Sequence, residues 1–514
     1  MSPFKPAAVS DLRDAALDVL CSTELSPLVE LVCWSPDKDV YEVRSVDGHV
    51  RFRRETDGPT VAFSTEKSSQ HNPIADQDPR RFSPLYEEIA NSTPDRRKNS
   101  YPYAYEHIAQ VFDHPCAPDL CVLHTSSHRS EDHRGEHGSL GVVQARAPFV
   151  ISGAGVNRAG IVDRHCRLVD VAPTVLALLG FAQGAGIGAS GHSRSDAYLS
   201  RQDGDVVDGL FDPTATRPER VICFLLDGTN PNMLYDMASS GDAPTVASLI
   251  AEGTAFRHGA FASLPTVTLP NHTSLLTGCH PGHHGVLHNA WYDRELRRQV
   301  VTESAATWQE AMQWLAPGVQ TIHEAVRAQR PEACTMSVNE PADRGATYST
   351  FELFRNGRAG DLAGVSKSTP PRATQRFVDS SEGYKWGTTI DDSSVAQACS
   401  LLEGRLGGTE YPPPVFMWVN TTLTDSASHE AGPNSEMARA AVRDTDARIG
   451  DVLAAVDRTT GLVGSTVLVL ADHGMELNDP EVTGDWGTAL TDAGITFRDE
   501  GSGFLYLGIE PDGV

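Results

Sequence analysis

The sequence lacks any hydrophobic run long enough to cross a membrane, and its first residues do not form the apolar segment of a signal peptide. We therefore expect a cytoplasmic location and no membrane partner. Cysteine is scarce as well. The nine thiols are spread widely without a paired spacing, which excludes a disulfide framework and favours reduced cysteines.

Positive charge is also in short supply. Lysine and arginine total 42 against 68 aspartates and glutamates, which gives a formal net charge of -26. Such an excess of negative charge argues against binding to a nucleic-acid polymer. A small anionic substrate stays possible, because bound divalent cations would dominate the field around it.

Two nucleotide-binding signatures are missing or out of context. The chain has no glycine-rich phosphate loop that ends in Lys-Ser or Lys-Thr. Residues Gly186–Gly191 match the dinucleotide fingerprint, but they follow a predicted helix instead of a strand, so we reject that match.

Composition shifts divide the 514-residue chain into predicted segments. Residues 1–85 are typical of a small N-terminal α+β accessory unit, and residues 86–180 show a helix–strand–strand–helix pattern. Residues 181–218 are rich in glycine, serine and aspartate and are predicted to be a linker. Residues 219–514 are predicted to form the main catalytic core.

The core segment predicts an α/β fold. Near-continuous apolar strands at Val221–Leu226, Val415–Asn420 and Thr466–Leu470 alternate with predicted helices. This pattern indicates a mostly parallel sheet that is covered by helices on both faces. Ligands of such sheets bind at the carboxyl ends of the strands, where Asp227 and Asp472 fall.

Carboxylates and imidazoles occur at positions that suit divalent metals. Asp227 follows a strand, Asp425 and His429 share one face of a helical turn, and Asp472 and His473 follow another strand. Each position taken singly also has an ordinary interpretation, as a helix cap or a polar turn.

Thr268 lies just before a predicted helix that ends at Gly278, and the free N–H groups of a helix start stabilise an anion. A hydroxyl beside bound metals is a nucleophile for phosphorus, although an ordinary N-cap is the alternative. The segment His124–His137 is the richest in histidine. It is predicted to bind a metal by itself, to be a polar surface loop, or to complete a distant site.

The order of these signals resembles that of the type I phosphodiesterase/nucleotide pyrophosphatase family of the alkaline phosphatase superfamily. The resemblance covers roughly 219–514 and rests on four motifs. They are Leu-Asp227-Gly, the block Thr266–Gly285, Asp425-x-x-x-His429-x-x-Gly-Pro and Ala-Asp472-His473-Gly-Met.

This resemblance implies two bound divalent ions, with zinc expected and manganese as the alternative. Asp227, Asp472 and His473 would hold one ion together with Thr268, and Asp425 and His429 would hold the other. Thr268 would be the nucleophile that forms a covalent intermediate. Asn289 matches the family's donor to a phosphoryl oxygen.

The family's second zinc needs one further histidine, which in the family lies near the C-terminus in a Gly-x-His-Gly context. The match here is early, at Gly135-Glu-His137-Gly, and is followed by Ala147-Pro-Phe-Val-Ile-Ser-Gly and Val169-Asp-Val-Ala-Pro-Thr. The resemblance therefore implies a circularly permuted core. Residues 86–180 would be the family's C-terminal part, 181–218 the joining linker, and His137 the missing ligand.

We expect a metal-dependent hydrolase of phosphodiester or pyrophosphate bonds with a small phosphoester substrate of nucleotide type. A phosphomonoesterase or phosphonate hydrolase with the same metals is the close alternative. A noncatalytic metal-binding scaffold and a phosphomutase are further ones. The oligomeric state stays open, and no base-recognition residues are recognisable.

Overall fold

A computed structural model describes residues 9–69, 71–90, 99–127, 133–304, 306–362, 377–482 and 484–510. Its helices, in chain order, are α1 Val9–Leu20, α2 Leu85–Ala90, α3 Ala104–Val111, α4 Val142–Ala145, α5 Val171–Leu178, α6 Pro231–Ser240, α7 Pro244–Ala251, α8 Thr268–Thr277, α9 Pro281–His284, α10 Ile322–Gln329, α11 Thr350–Arg355, α12 Glu382–Leu402, α13 Leu423–Ala431, α14 Glu436–Thr459 and α15 Trp486–Asp492.

The strands of the N-terminal part are β1 Val29–Asp37, β2 Val40–Arg44, β3 His49–Asp57, β4 Thr60–Ser69, β5 Leu120–His124, β6 Gly135–Glu136, β7 Arg146–Ala147, β8 Phe149–Gly153, β9 Gly160–Val162, β10 Cys166–Arg167, β11 Gly184–Ile187 and β12 Ser193–Ala197. The later strands are β13 Arg220–Leu226, β14 Gly253–Phe256, β15 Ala260–Phe261, β16 Ala290–Asp293, β17 Arg298–Val301, β18 Cys334–Val338, β19 Tyr348–Ser349, β20 Arg405–Leu406, β21 Thr409–Glu410, β22 Pro414–Thr421, β23 Ser465–Leu470, β24 Glu476–Leu477, β25 Phe497–Glu500 and β26 Phe504–Leu507.

The main sheet has eight strands in the order β19-β18-β22-β13-β23-β8-β14-β9. Strands β19, β18, β22, β13 and β23 run parallel to one another, and β8 runs antiparallel to both β23 and β14. Every residue of β13 is buried. Its odd-numbered residues Val221, Cys223 and Leu225 join one hydrophobic cluster, and Ile222, Phe224 and Leu226 join another. The predicted mostly parallel, doubly covered α/β sheet is therefore confirmed.

The N-terminal third of the chain contributes a strand to the interior of this sheet. Strand β8 lies between β23 and β14, with Ile151 opposite Leu468 and Thr254. Residues far apart in sequence thus pack as neighbours. Strand β6 in turn pairs with β24, which follows the end of β23, with Glu136 opposite Glu476.

A second sheet has seven strands in the order β25-β26-β5-β1-β2-β3-β4. The sequence predicts strands at Leu28–Trp34, Val40–Ser45 and His49–Arg54 with a turn at Asp47-Gly48, and these correspond to β1 to β3; it does not predict the long hairpin partner β4. It also misses that residues 29–69 share a sheet with 120–124 and 497–507. The predicted linker contains the hairpin β11–β12. The division of the chain at 85, 180 and 218 stays a prediction.

Among the described residues, none of the helices is both long and apolar enough to cross a membrane. None of the nine cysteines, all of which lie among the described residues, forms a disulfide.

Candidate metal centre

A first group of ligands forms where two parallel strands end side by side. Strand β13 lies beside β23 with Leu225 opposite Leu470, so the residues just beyond each strand meet at one edge. Asp227, Asp472 and His473 each place a ligand atom there, all within 4.8 Å of one another. His473 Nε2 lies 3.2 Å from Asp472 Oδ2 and 3.7 Å from Asp227 Oδ1.

Gly228 brings the end of β13 close to a second element. Its φ of +64° is in the left-handed region, and a Cβ atom there would lie 2.7 Å from Asp425 Oδ1. Its N–H donates to Asp472 Oδ1 at 3.2 Å. Glycine is required at this position because both the backbone conformation and the close approach exclude a side chain.

A second group combines helix α13 with the early segment around β6. Asp425 and His429 lie one turn apart on α13, as the spacing predicts, and His137 faces them. His429 Nε2 lies 3.1 Å from His137 Nε2 and 3.4 Å from Asp425 Oδ1. The rings of His137 and His473 stack with their centroids 3.7 Å apart, so the two groups are direct neighbours.

Backbone carbonyls orient all three histidines in the same way. The Nδ1 atom lies 2.9 Å from Thr266 O in His137, 2.8 Å from Gly135 O in His429, and 2.9 Å from Gly474 O in His473. A carbonyl can only accept, so Nδ1 carries the proton and Nε2 keeps its lone pair. This is the arrangement in which an imidazole presents Nε2 to a metal.

The surroundings of the three carboxylates favour the binding of cations. Asp227 Oδ1, Asp425 Oδ1 and Asp472 Oδ2 are buried without a hydrogen-bond partner in the protein, which is rare unless another ligand satisfies them. Burial, followed by repulsion from Asp472 and Asp425, raises the pKa of Asp227 well above its ordinary value. Burial lowers the pKa of His137, and the neighbouring imidazoles of His473 and His429 lower it further. The donor set therefore fits two divalent metals.

Thr268 is the first residue of α8, beside the first group. Its Oγ1 lies 3.5 Å from His473 Nε2. The N-cap is Val267 and no side chain caps the helix, so the alternative that Thr268 is an ordinary N-cap is wrong. Asn289 Oδ1 accepts from the N–H of Leu269 at 3.3 Å, which places that amide at the same helix start.

Exposure singles out the same two side chains. From residue 258 to residue 292, every residue is buried except Thr268 and Asn289. A block this buried has little contact with solvent, and a substrate that reaches it meets these two side chains.

The described histidines of the segment His124–His137 lie in different surroundings. His137 joins the second group, His133 Nδ1 lies 2.8 Å from Glu136 Oε1, and His124 accepts from Trp486 Nε1 at 3.0 Å. His133, Glu136 and His429 are close enough to form a further possible metal group. His128 lies outside the described residues.

The sequence reasoning misses two buried residues beside the first group, His272 and Glu340. His272 Nδ1 lies 2.9 Å from Glu340 Oε2, and His272 Nε2 lies 3.4 Å from Asp472 Oδ2. The position of His272, four residues after Thr268 on one helix face, is the only signal that could have suggested it. No local pattern could have suggested Glu340.

We expect the change Asp227→Asn to stabilise the metal-free protein at neutral pH while it weakens metal binding. The folded pKa of Asp227 is above its unfolded value, so the ionised carboxylate destabilises the metal-free fold increasingly as the pH rises above the unfolded value. Urea unfolding of metal-free protein at pH 5 and pH 8 measures this effect, which should be larger at pH 8. An equal or lower stability of the variant at pH 8 would contradict it.

The fold and the site together define a class of protein: an α/β protein in which two neighbouring groups of aspartate and histidine lie beside a threonine at a helix start. Residues 221–513 match the family model for Type I phosphodiesterase / nucleotide pyrophosphatase, which is more than half of the chain. The chain belongs to this family.

Curated relatives cover parts of the chain. Alkaline phosphatase PafA of Elizabethkingia meningoseptica is 32% identical over 108 residues, which make up 20% of this chain and 20% of that protein. Ectonucleotide pyrophosphatase/phosphodiesterase family member 3 of Rattus norvegicus is 25% identical over 288 residues, or 55% of this chain and 27% of that protein. The chain spans about half, or less, of the length of the curated relatives that it matches.

The solved structure of phosphonoacetate hydrolase from Sinorhizobium meliloti 1021, in complex with phosphonoformate, matches with a TM-score of 0.33 and 19% identity. The match covers 52% of this chain and 59% of that chain. Structural similarity at this level supports no conclusion, so the family assignment rests on the family model.

Proposed function

We propose that the protein is a two-metal hydrolase of phosphodiester or pyrophosphate bonds, with a nucleotide-type small molecule as substrate. One observation carries the proposal. Two groups of three ligands, Asp227/Asp472/His473 and His137/Asp425/His429, meet beside the accessible Thr268 at the start of α8. Membership of the type I phosphodiesterase/nucleotide pyrophosphatase family supports the same reaction.

We propose that the six ligands hold two zinc ions, with manganese as the alternative. Bound divalent ions would supply positive charge that acidifies a neighbouring hydroxyl and offsets the charge of phosphoryl oxygens. The cytoplasmic location expected from the sequence stays a prediction.

The chemistry of the chain itself centres on Thr268. Its Oγ1 forms a bond to phosphorus while the bond from phosphorus to the leaving-group oxygen breaks, and the hydroxyl proton passes to solvent. Water then breaks the threonine–phosphorus bond and restores the hydroxyl. The Nδ2 group of Asn289, whose Oδ1 accepts from the Leu269 N–H at the start of α8, donates a hydrogen bond to a phosphoryl oxygen, where negative charge increases.

We also propose that the core is circularly permuted relative to the rest of its family. His137 comes from the early part of the chain, yet its Nε2 lies 3.1 Å from that of His429. Strand β8 of the same part runs inside the main sheet. Both observations support the assignment of residues 86–180 as a structural part of the catalytic core.

Substrate preference tests the proposed reaction. We expect protein loaded with zinc to hydrolyse bis(p-nitrophenyl) phosphate and the p-nitrophenyl ester of thymidine 5′-monophosphate faster than p-nitrophenyl phosphate. Removal of metal with a chelator should lower the rate by at least about 10²-fold, and added zinc or manganese should restore it. The variant Asp227→Asn, prepared in the same way, controls for contaminating phosphatases.

The outcomes separate the candidate functions. Faster turnover of the monoester would favour a phosphomonoesterase, the alternative suggested by the relatives named alkaline phosphatase. Zinc binding without turnover of any substrate would indicate a noncatalytic metal-binding protein and contradict the proposal.

A further inference from the structure

A buried imidazole links the first ligand group to a buried carboxylate on the other side. His272 lies on α8, and its side chain is 1% exposed. Its Nδ1 lies 2.9 Å from Glu340 Oε2, and its Nε2 lies 3.4 Å from Asp472 Oδ2 and 4.0 Å from Asp227 Oδ2. The ring therefore stands between Glu340 and both aspartates of the first group.

We propose that His272 and Glu340 are positioning residues that fix the orientation of the Asp472 carboxylate for cation binding. The inference rests on the metal centre of the proposed function. It concerns two side chains that need touch neither the substrate nor a metal, because Asp227, Asp472 and His473 bring their ligand atoms together without them.

The carboxylate of Asp472 is contacted from two directions. Its Oδ1 accepts from the N–H of Gly228 at 3.2 Å, and its Oδ2 lies between His473 Nε2 at 3.2 Å and His272 Nε2 at 3.4 Å. Without His272, Oδ2 would keep only its contact with His473, and the carboxylate would be held less firmly against rotation about the Cβ–Cγ bond. Cation binding would then have to order the carboxylate as well as bind it.

Glu340 is itself held rigidly, which allows it to orient the ring. It is fully buried two residues after β18, and its Oε1 accepts from the N–H of Ala342 at 2.9 Å. Its backbone carbonyl accepts from Ser337 Oγ at 3.0 Å. A buried carboxylate is costly unless it is paired, and His272 is the imidazole that faces its other oxygen.

Zinc affinity tests the pair without recourse to turnover. We compare the wild type with Glu340→Gln, His272→Gln and the double variant, and measure zinc affinity by competition with a chelating indicator. Each single change should lower the affinity for the zinc held by the first group by about 10- to 100-fold, as is usual when a group that orients a metal ligand is lost. The double variant should be no weaker than His272→Gln alone, because Glu340 acts through His272.

A matched control is His323→Gln. His323 is likewise fully buried, on α10, and its ring packs against Phe416 with the centroids 5.3 Å apart. The His323→Gln variant should bind zinc with the affinity of the wild type. Thermal unfolding of every metal-free variant separates a loss of affinity from a loss of fold. Glu340→Gln nearly preserves shape and the bond to Ala342, so it decides the question if His272→Gln does not fold.

Three results would overturn the inference while leaving the proposed function in place. They are wild-type affinity in a folded Glu340→Gln protein, additive losses in the double variant, and loss of one whole equivalent of zinc in His272→Gln with Glu340→Gln unaffected. That last result would make His272 a direct ligand. A wild-type protein that binds no zinc would instead contradict the proposed function, and this inference with it.

Discussion

Replacement of Thr268 by alanine is expected to lower phosphodiester turnover by at least about 10³-fold while both zinc ions stay bound. The change removes the oxygen that would attack phosphorus. The only other accessible side chain between residues 258 and 292 is Asn289, which carries no hydroxyl, so no neighbour in that block can replace Thr268. Steady-state turnover of bis(p-nitrophenyl) phosphate and zinc content are the two measurements.

The matched control for Thr268 is the change to serine, which keeps a hydroxyl at the start of α8. Thr268→Ser should retain most of the activity. Acid-quenched mass spectrometry of the wild type should detect a peptide containing residue 268 that carries the p-nitrophenyl phosphoryl group, and only when bis(p-nitrophenyl) phosphate is present. An alanine variant that keeps more than a tenth of the wild-type rate would refute a nucleophilic role for Thr268.

Replacement of His137 by alanine is the second change with a large expected effect. We expect the variant to lose one of two zinc ions and at least about 10²-fold in turnover, as His429→Ala should, because both imidazoles point Nε2 into the same ligand group. Zinc content after dialysis and the rate at saturating substrate measure the two effects.

The exposed His192, in the hairpin β11–β12 segment, provides the control, since its replacement by alanine should leave zinc content and rate unchanged. If His137→Ala keeps two zinc ions and a near wild-type rate, residues 86–180 do not belong to the catalytic centre. That result would also contradict the proposed circular permutation.

Much of the site could be predicted because its ligands sit at positions with a strong local signal. Asp227 and Asp472 follow apolar strands, and the four-residue spacing of Asp425 and His429 fits one helix face. The early His137 came only from a motif resemblance. The structure brings it to the same place as the others, whereas the role of each residue stays a prediction.

Other features had no local signal. Strand β4 has an irregular burial pattern, and the pairing of β5 with β1 and β26 joins segments that are far apart in the sequence. In the sequence, nothing distinguishes Glu340 from the many other acidic residues. The fold buries it against His272. Hydrophobic periodicity predicts the secondary structure of a single segment, whereas these contacts depend on how separate segments pack against one another.

The sequence by itself determined the residue types, the apolar strands that are followed by aspartate, and a helix between Thr268 and Gly278. Those features depend on a few neighbouring residues and on burial of one face or both. Only the tertiary structure decided that two ligand groups are neighbours, that His137 faces His429, and that Glu340 lies against His272. Those contacts follow from the register of β13, β23 and β8 and from side-chain packing across the sheet edge, which no stretch of sequence specifies alone.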